Sequence, residues 1–496
     1  MRRLLLLLVF SATTPLIWAK PSHFTISEVC RTAHGEMLRM QLSSATKRLE
    51  ADASVDVRNA AQLFFINQAD FIRAFVSEEP GDFNRMQQSA NRCLDLVEHL
   101  DDNNPWKQFA HAEVLLRSAV VKLKRKEFLS AGNNIRKAFG MVMEVRKSHP
   151  NFAPALKTAG LLHAIMGTVP ENYKWLANLA GMQGTIPQGV NELENALVAL
   201  RKDAANGFLY DEALLYRVFC ASHFEKNEPK AVQLMEQRAK ATPPQGLFLF
   251  FHVNSLVKTE RYADALRMIN NQQPNTTAFP LHYLQFQKGV ILLGNMQTKE
   301  AAQAFGSYVR SFKGTSFVKA SWQKMAWIHL LNGDVDSYRK HMQRIPSVGS
   351  DFTDEDQQAQ RQAESGEIPN VPLLECRLLF DGGNYDLALE KLSAIPTKKL
   401  TTVRDNLEYT YRMARICEKK NLAELAMKYY AATYDNGKNQ RWYFAANSAL
   451  LLGGMHEQRG DKTMALSWYK KCLALRNHEY QNSIDQKAEA GKNRIK

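Results

Sequence analysis

The residues whose types could do chemistry are scattered along the sequence. Six cysteines, Cys30, Cys93, Cys220, Cys376, Cys417 and Cys472, form no C-x-x-C pair, the spacing that a redox motif or thiolate zinc site needs. Cys220 and Cys417 fall in apolar helical patterns, where a thiol packs as a small hydrophobe. The thirteen histidines do not cluster, and His329, His341 and His456 fit helix surfaces or packing better than a ligand shell. Asp351, Asp354, Glu355 and Asp356 lack the alternating oxygen ligands and distal glutamate of a calcium loop, so a solvated acidic face is expected there. Glu192 and Glu194 suit the first turn of a helix, where carboxylates meet the positive end of the dipole. No H-E-x-x-H, G-x-S-x-G, Walker or dinucleotide motif occurs. These patterns predict no catalytic residue, metal or cofactor, and therefore a non-enzymatic protein.

The elements that position side chains must then explain function through binding. With 496 residues, 45% hydrophobic and 23% charged, the chain has enough core material to fold through most of its length. A disulfide-held miniature scaffold is excluded. The formal charge of +14 permits an acidic partner or an anionic membrane surface without choosing between them. The longest basic cluster, Lys122, Lys124, Arg125 and Lys126, is short for nucleic-acid recognition, and none is expected. At the amino terminus, Met1-Arg2-Arg3 precedes the apolar run Leu4 to Phe10 and a small residue, Ala19, suited to cleavage. This pattern predicts a signal peptide over 1–19, and hence a periplasmic or secreted protein, peripheral to the outer membrane at most. No later stretch reaches the roughly 18 apolar residues needed to span a bilayer.

The interior repeats. The unit "WYFAANSALLLGGMHEQRGDKTMALSWYKKCLAL" from Trp442 places Leu452-Gly453 in a first helix, Gly460-Asp461 at a turn, and Ala465 and Tyr469 in a second helix. Small residues allow two helices to cross closely, and the large residue one turn later fills the next groove. Related anchors recur at Ala131, Ala231, Ala265, Ala301, Ala388 and Ala426, with first-helix partners Ala119, Gly289, Cys376 and Ala414. The intervals Ala231 to Ala265, Ala265 to Ala301, Ala388 to Ala426 and Ala426 to Ala465 are 34, 36, 38 and 39 residues. A further hairpin carries Ala326, with Tyr338 in place of the second alanine. The unit resembles the tetratricopeptide repeat, W-x2-L-G-x2-Y followed by A-x3-F, with Ala449 for its Trp and His456 for its Tyr. The fold expected is all-α, a tetratricopeptide-like helical-hairpin superhelix with an irregular helical cap.

Composition divides the remainder. The cap spans 20–147, a glycine-rich helical junction 148–205, repeats 206–345, a polar connection or hinge 346–371, further repeats 372–475, and a capping helix and tail 476–496. In the junction, Gly160 allows close helix contact, and Gly181, Gly184, Pro187 and Gly189 make a compact turn. Tyr173 and Trp175 lie in a short helix between them, as exposed anchors or as plugs of the junction. This block followed by hairpins resembles exported tetratricopeptide proteins of Bacteroidetes-type bacteria and, more remotely, the tetratricopeptide-39 and inclusion-body-clearance family. That resemblance covers residues 60 to 475 and implies an all-helical association protein with no catalytic residue carried over.

Applied to this sequence, the repeat pattern turns Tyr283, Phe286, Val290, Leu293, Gln323, Trp327 and Leu330 towards an apolar inner groove. Farther on it selects Glu408, Tyr411, Arg415, Glu418, Lys419, Asn447 and Glu457, a mixed polar surface. Such a groove suits a helix or extended polypeptide with apolar anchors. The function expected is a scaffold of the bacterial envelope that binds a protein partner through Tyr283, Phe286, Trp327, Tyr411 and Arg415, with Tyr173 and Trp175. The alternative is a solute- or glycan-binding protein, which requires one deep enclosed pocket.

Overall fold

The fold is that of a computed structural model, which describes residues 22–169, 181–272 and 277–495. The signal pattern at 1–19 and the pair Tyr173 and Trp175 lie outside these residues. The chain is all-α and built of tetratricopeptide-like helical hairpins; among the described residues the β-pairing is one isolated bridge between His23 and Asn59. Two compact units form, Met1–Phe251 with Asn275–Phe279, and His252–Pro274 with Pro280–Lys496. The boundary falls inside a helix, Leu247–Lys258, within the stretch 206–345 read as continuous repeats.

The first unit opens with α1 (Glu28–Leu38), α2 (Leu42–Val55), α3 (Ala60–Ser77), α4 (Pro80–Val97), α5 (Pro105–Lys124) and α6 (Phe128–Ser148). Local chemistry sets their starts. The Ser27, Asn59 and Asn104 side chains accept the backbone N–H of Cys30, Ala61 and Trp106, and Pro105 stands at the first position of α5, where no N–H is needed. The region read as an irregular cap is thus itself a run of packed antiparallel helices. An aromatic core joins them: Phe24 stacks on Trp106 at 4.4 Å, with Phe64, Phe109 and Phe152 edge-on around the indole. After α7 (Ala153–Met166), α8 (Ile186–Lys202) crosses so closely that a Cβ on Gly160 would lie 2.8 Å from the Gly189 carbonyl oxygen. That is the contact expected of this glycine.

Buried charge also ties the first unit together. Lys157 on α7 is 2% exposed and donates to Glu212 Oε1 at 3.0 Å, on α9 (Tyr210–His223). His34 of α1 reaches the other Glu212 oxygen at 3.2 Å, and Tyr216 donates to Oε1 at 2.9 Å. Burial alone would raise the Glu212 carboxyl, but Lys157 and His34 outweigh it and hold it well below the usual carboxylate range. Glu192, expected as an ordinary first-turn carboxylate, is likewise buried, against Arg146 and the His163 imidazole, both at 2.5 Å. Its spacing marked a helix start, and only the packing of α8 on α7 withdraws it from water.

The first unit continues into α10 (Glu228–Ala241), and after the boundary helix α11 (Leu247–Lys258) the second unit runs through α12 (Tyr262–Asn270), α13 (Tyr283–Gly294), α14 (Thr298–Ser311), α15 (Val318–Leu331) and α16 (Val335–Arg344). Then come α17 (Asp354–Ser365), α18 (Val371–Asp381), α19 (Tyr385–Ser393), α20 (Val403–Lys419), α21 (Ala423–Gly437), α22 (Phe444–Gln458), α23 (Lys462–Ala474) and α24 (Gln481–Ile495). Across both units the alanine anchors Ala131, Ala231, Ala265, Ala301, Ala388, Ala426 and Ala465 are wholly buried. The hairpin turns share a left-handed residue, glycine at Gly333, Gly383 and Gly460, but Glu260, Met296 and Asn421 elsewhere. Tyr469 is clasped between Gly453 on the preceding helix and Gly491 on α24, where a Cβ at either would enter its ring. The expected carboxyl-terminal capping helix is α24.

The polar connection 346–371 contains a packed helix. Within it α17 packs on α15, with Ala359 in the core, and Asp356 is fully buried instead of solvated. Its carboxylate accepts the backbone N–H of Phe317 at 2.6 Å and of Ala320 at 3.0 Å, so it caps the start of α15. A helix with little apolar face is held by filling the hydrogen-bonding needs of its neighbour.

The buried pair in the first unit yields a stability test. Lys157→Met leaves Glu212 without its main cation and is expected to cost about 3–5 kcal/mol, read as a lower urea midpoint of the full chain. An unchanged midpoint would show that Glu212 does not depend on Lys157.

Candidate functional site

The residues expected to line the groove are largely consumed by packing. Phe286 is 3% exposed, with its ring 5.8 Å from Phe305 and Tyr308 and 4.8 Å from Phe317. Trp327 is 2% exposed, and its indole N–H donates to Gln362 Oε1 at 3.2 Å. Leu293, Leu330 and Gln323 are buried beside them. Tyr283 is half-buried against Phe317 and accepts from Gln287 at 2.5 Å. The expectation of an apolar aromatic groove is therefore corrected at Phe286 and Trp327. The added helix α17 and the turn before α15 cover the face that an unadorned repeat would leave open.

Farther along, Tyr411 is buried and Arg415 is partly exposed, and neither lines the open cleft beside them. The Tyr411 hydroxyl accepts from Asn447 Nδ2 at 2.6 Å and from Arg415 Nη1 at 3.1 Å, and Arg415 lies over the Phe380 ring. The Tyr411 ring supports Tyr443 and Phe444, at 5.6 and 5.5 Å. These two aromatics form one wall of a cleft of about 660 Å³, solvent mouth included. Four arginines line it, Arg361 from α17, Arg377 from α18, and Arg404 and Arg412 from α20, together with Glu367, Glu408, Glu479 and Tyr480.

The charges in this cleft are unevenly satisfied. Glu408, 5% exposed, accepts from Arg412 at 3.1 Å and pairs with Arg404 at 3.4 Å. Glu367 pairs with Arg404 at 3.2 Å and with Arg441 at 2.6 Å. Arg377 pairs with Asp381 at 3.6 Å, and the Gln358 amide, turned to present its oxygen, accepts from Arg377 Nη1 at 3.2 Å. Arg361 stacks on the Tyr480 ring at 4.2 Å. Its Nη2 and the Nε of Arg412 are buried donors without an acceptor. A buried donor left unpaired costs roughly 1–3 kcal/mol, and more when it is charged.

The acids respond to this surplus. Burial would raise the Glu408 carboxyl, but Arg412, Arg404 and Arg377 together pull it below its ordinary value. Burial does raise Glu479, against the pull of the Tyr443 backbone N–H, Arg404 and Arg361. One cleft thus holds a strongly ionised carboxylate and one more ready to take a proton. Chemically it can grip an oxyanion through guanidinium donors with aromatic faces beside it. Among the described residues no group of three His, Cys, Asp or Glu side chains could hold a metal ion, and the six cysteines are free and buried.

Of the cleft lining, sequence reasoning reached Glu408 but missed Arg361, Arg377, Arg404, Arg412 and Tyr480. A signal for part of the cleft was present. Gln358, Arg361, Gln362 and Ser365 recur at helical spacing in "DEDQQAQRQAES", marking one polar face, and all four line the cleft.

No family model matches the chain, and no curated protein does. Among solved structures, the human IFIT1 dimer with PPP-AAAA aligns over 91% of this chain and 91% of its own, at 12% identity and a TM-score of 0.36. Yeast Tom70 aligns over 94% and 95% of the two chains, at 12% identity and 0.25. The TPR domain of P58(IPK) aligns over 84% and 94%, at 11% and 0.22. At these scores the likenesses carry no argument about function, and the hairpin architecture rests on this chain's own helix pairs.

Two measurements test the placement of these groups. Phe286→Ala and Trp327→Ala are each expected to cost about 3–5 kcal/mol, as core aromatics do, seen in urea unfolding; a surface aromatic would leave the midpoint unchanged. Because the folded Glu408 carboxyl lies below its unfolded value of 4.5, its contribution is present above about pH 4.5 and lost as pH falls through the folded value. Thermal unfolding from pH 6 to 3 should therefore drop less steeply in Glu408→Gln than in the parent.

Proposed function

We propose that this protein is a non-catalytic scaffold that holds a polypeptide partner in the arginine-lined cleft of its second unit, through an acidic group on that partner. One observation carries the reading: four arginines, Arg361, Arg377, Arg404 and Arg412, line one solvent-open cleft against three carboxylates, Glu367, Glu408 and Glu479. An incoming carboxylate would offset the surplus positive charge of that lining. The mouth opens to solvent between aromatic and charged walls, which suits a side chain or terminus of a longer polypeptide better than an enclosed solute.

The partner belongs, on this reading, to the bacterial envelope. That placement rests on the basic and apolar pattern of residues 1–19, and the kinship with exported Bacteroidetes-type repeat proteins rests on the glycine-rich block near 148–205. The buried aromatics Phe286 and Trp327 leave the binding role and Arg361, Arg377, Arg404 and Arg412 take it.

Affinity capture after crosslinking in the native envelope tests the proposal. The parent should recover one stoichiometric protein, and Arg361→Glu should reduce that recovery by roughly tenfold, about the effect of losing one charge-assisted contact. The unfolding midpoint should fall by no more than about 2 kcal/mol in stability, the scale of losing the stacking of Arg361 on the Tyr480 ring. Equal recovery by both proteins, or recovery of none by either, overturns the reading.

A further inference from the structure

The first unit carries a surface of different chemistry at the turn between α5 and α6. Arg125, Lys126 and Glu127 make this turn, with Lys126 in the left-handed region at φ 63°. Phe128 and Leu129 follow as the first two residues of α6 and are 61% and 94% exposed. Side chains at a helix start lean back towards its amino terminus, so both project past the end of the hairpin. Phe75, 39% exposed at the end of α3, lies under the Lys124 ammonium, 4.2 Å from the ring.

Cations surround these apolar side chains. Lys122 and Lys124 occupy the last turn of α5, where basic groups complement the helix dipole, and Arg125 and Lys126 follow. Arg136 and Lys137 are exposed two turns along α6. Glu78 pairs with Lys124 at 2.6 Å and Glu127 with Arg125 at 2.8 Å, and the α3–α4 turn, whose Phe83 ring lies under Arg125, brings Glu79 and Asp82 nearby. Lys122, Lys124, Arg125 and Lys126 with, farther along α6, Arg136 and Lys137 outnumber Glu78, Glu79, Asp82 and Glu127. The contrast within the same unit is informative. Val55 and Val57, 87% and 68% exposed at the turn before α3, stand beside Asp52 and Asp56, with Arg58 as the adjacent cation.

We infer that the α5–α6 tip is a docking point for an anionic lipid bilayer, with Phe128 and Leu129 entering the headgroup layer and the surrounding lysines and arginines meeting lipid phosphates. A protruding pair of apolar side chains inside a basic ring matches both layers of such a surface, whereas an acidic protein groove would answer only the charge. The contact is peripheral, since no described helix is long and apolar enough to cross a membrane. It is independent of the arginine cleft.

Co-sedimentation of the full chain with vesicles tests this inference. Vesicles of phosphatidylcholine with one-third phosphatidylglycerol should retain the protein, and phosphatidylcholine alone should retain roughly tenfold less. Binding should weaken as salt is raised. Phe128→Glu with Leu129→Glu, and separately Arg125→Glu with Lys126→Glu, should each reduce retention by at least about tenfold without lowering the unfolding midpoint. Equal retention by neutral and anionic vesicles, or retention unmoved by both variants, overturns the inference. So does a concentration-dependent dimer that Leu129→Glu dissolves while the parent fails to bind vesicles, because a second copy would then be the occupant.

Discussion

Two helices can approach closely along a shared crossing only where the side chains between them are small, and this steric constraint organises the chain from end to end. The second-helix alanines at 231, 265, 301, 388, 426 and 465 are wholly buried, and each is followed four residues later by a large apolar or aromatic side chain: Met235, Ile269, Phe305, Leu392, Tyr430 and Tyr469. The small residue lets the partner helix in, and the large one, a turn away on the same face, fills the space that opens beyond the crossing. Gly289 against Phe305 and Gly453 against Tyr469 are the tightest forms of this pairing.

Once the large residues turn inward, the neighbouring aromatics are drawn into the same core. Phe286 meets Phe305 and Tyr308, and Trp327 gives its N–H to Gln362. The surface left open is then polar, built from arginines whose stems can run along the aromatic wall while their heads remain in the cleft. Helix α17 completes that surface. It has little hydrophobic face, so it docks through Asp356 on the backbone of α15, Gln362 on Trp327 and Gln323, and Gln360 on the Lys319 ammonium. Buried polar groups in such a place must be fully paired, and the guanidinium nitrogens without an acceptor, Arg361 Nη2, Arg412 Nε and Arg415 Nε, stand out for that reason.

Much of the fold was legible because it depends on local rules. Alanine periods of 34 to 39 residues, glycine turns and amino-terminal caps report on helix starts, ends and crossings, each set by a few neighbouring residues. The close approach at Gly160 and the seat of Tyr469 followed from residue size alone. The charged interior was not legible in this way. Glu192, Glu212 and Asp356 look like ordinary surface carboxylates, and what buries them is a cation or backbone amide far away in sequence. The cleft shows the same limit: Glu408 falls on one repeat's inner position, while Arg361 and Tyr480 arrive from elements outside that repeat.

By itself, the sequence determined an all-helical hairpin chain with its anchors, turns and carboxyl-terminal cap, because these depend on side-chain size and backbone preference within about forty residues. Only the tertiary structure decided which aromatics are core, which carboxylates leave water and where unpaired arginine donors converge. Those outcomes depend on burial and on hydrogen-bond partners from distant helices, and neither quantity has a value until the helices have packed.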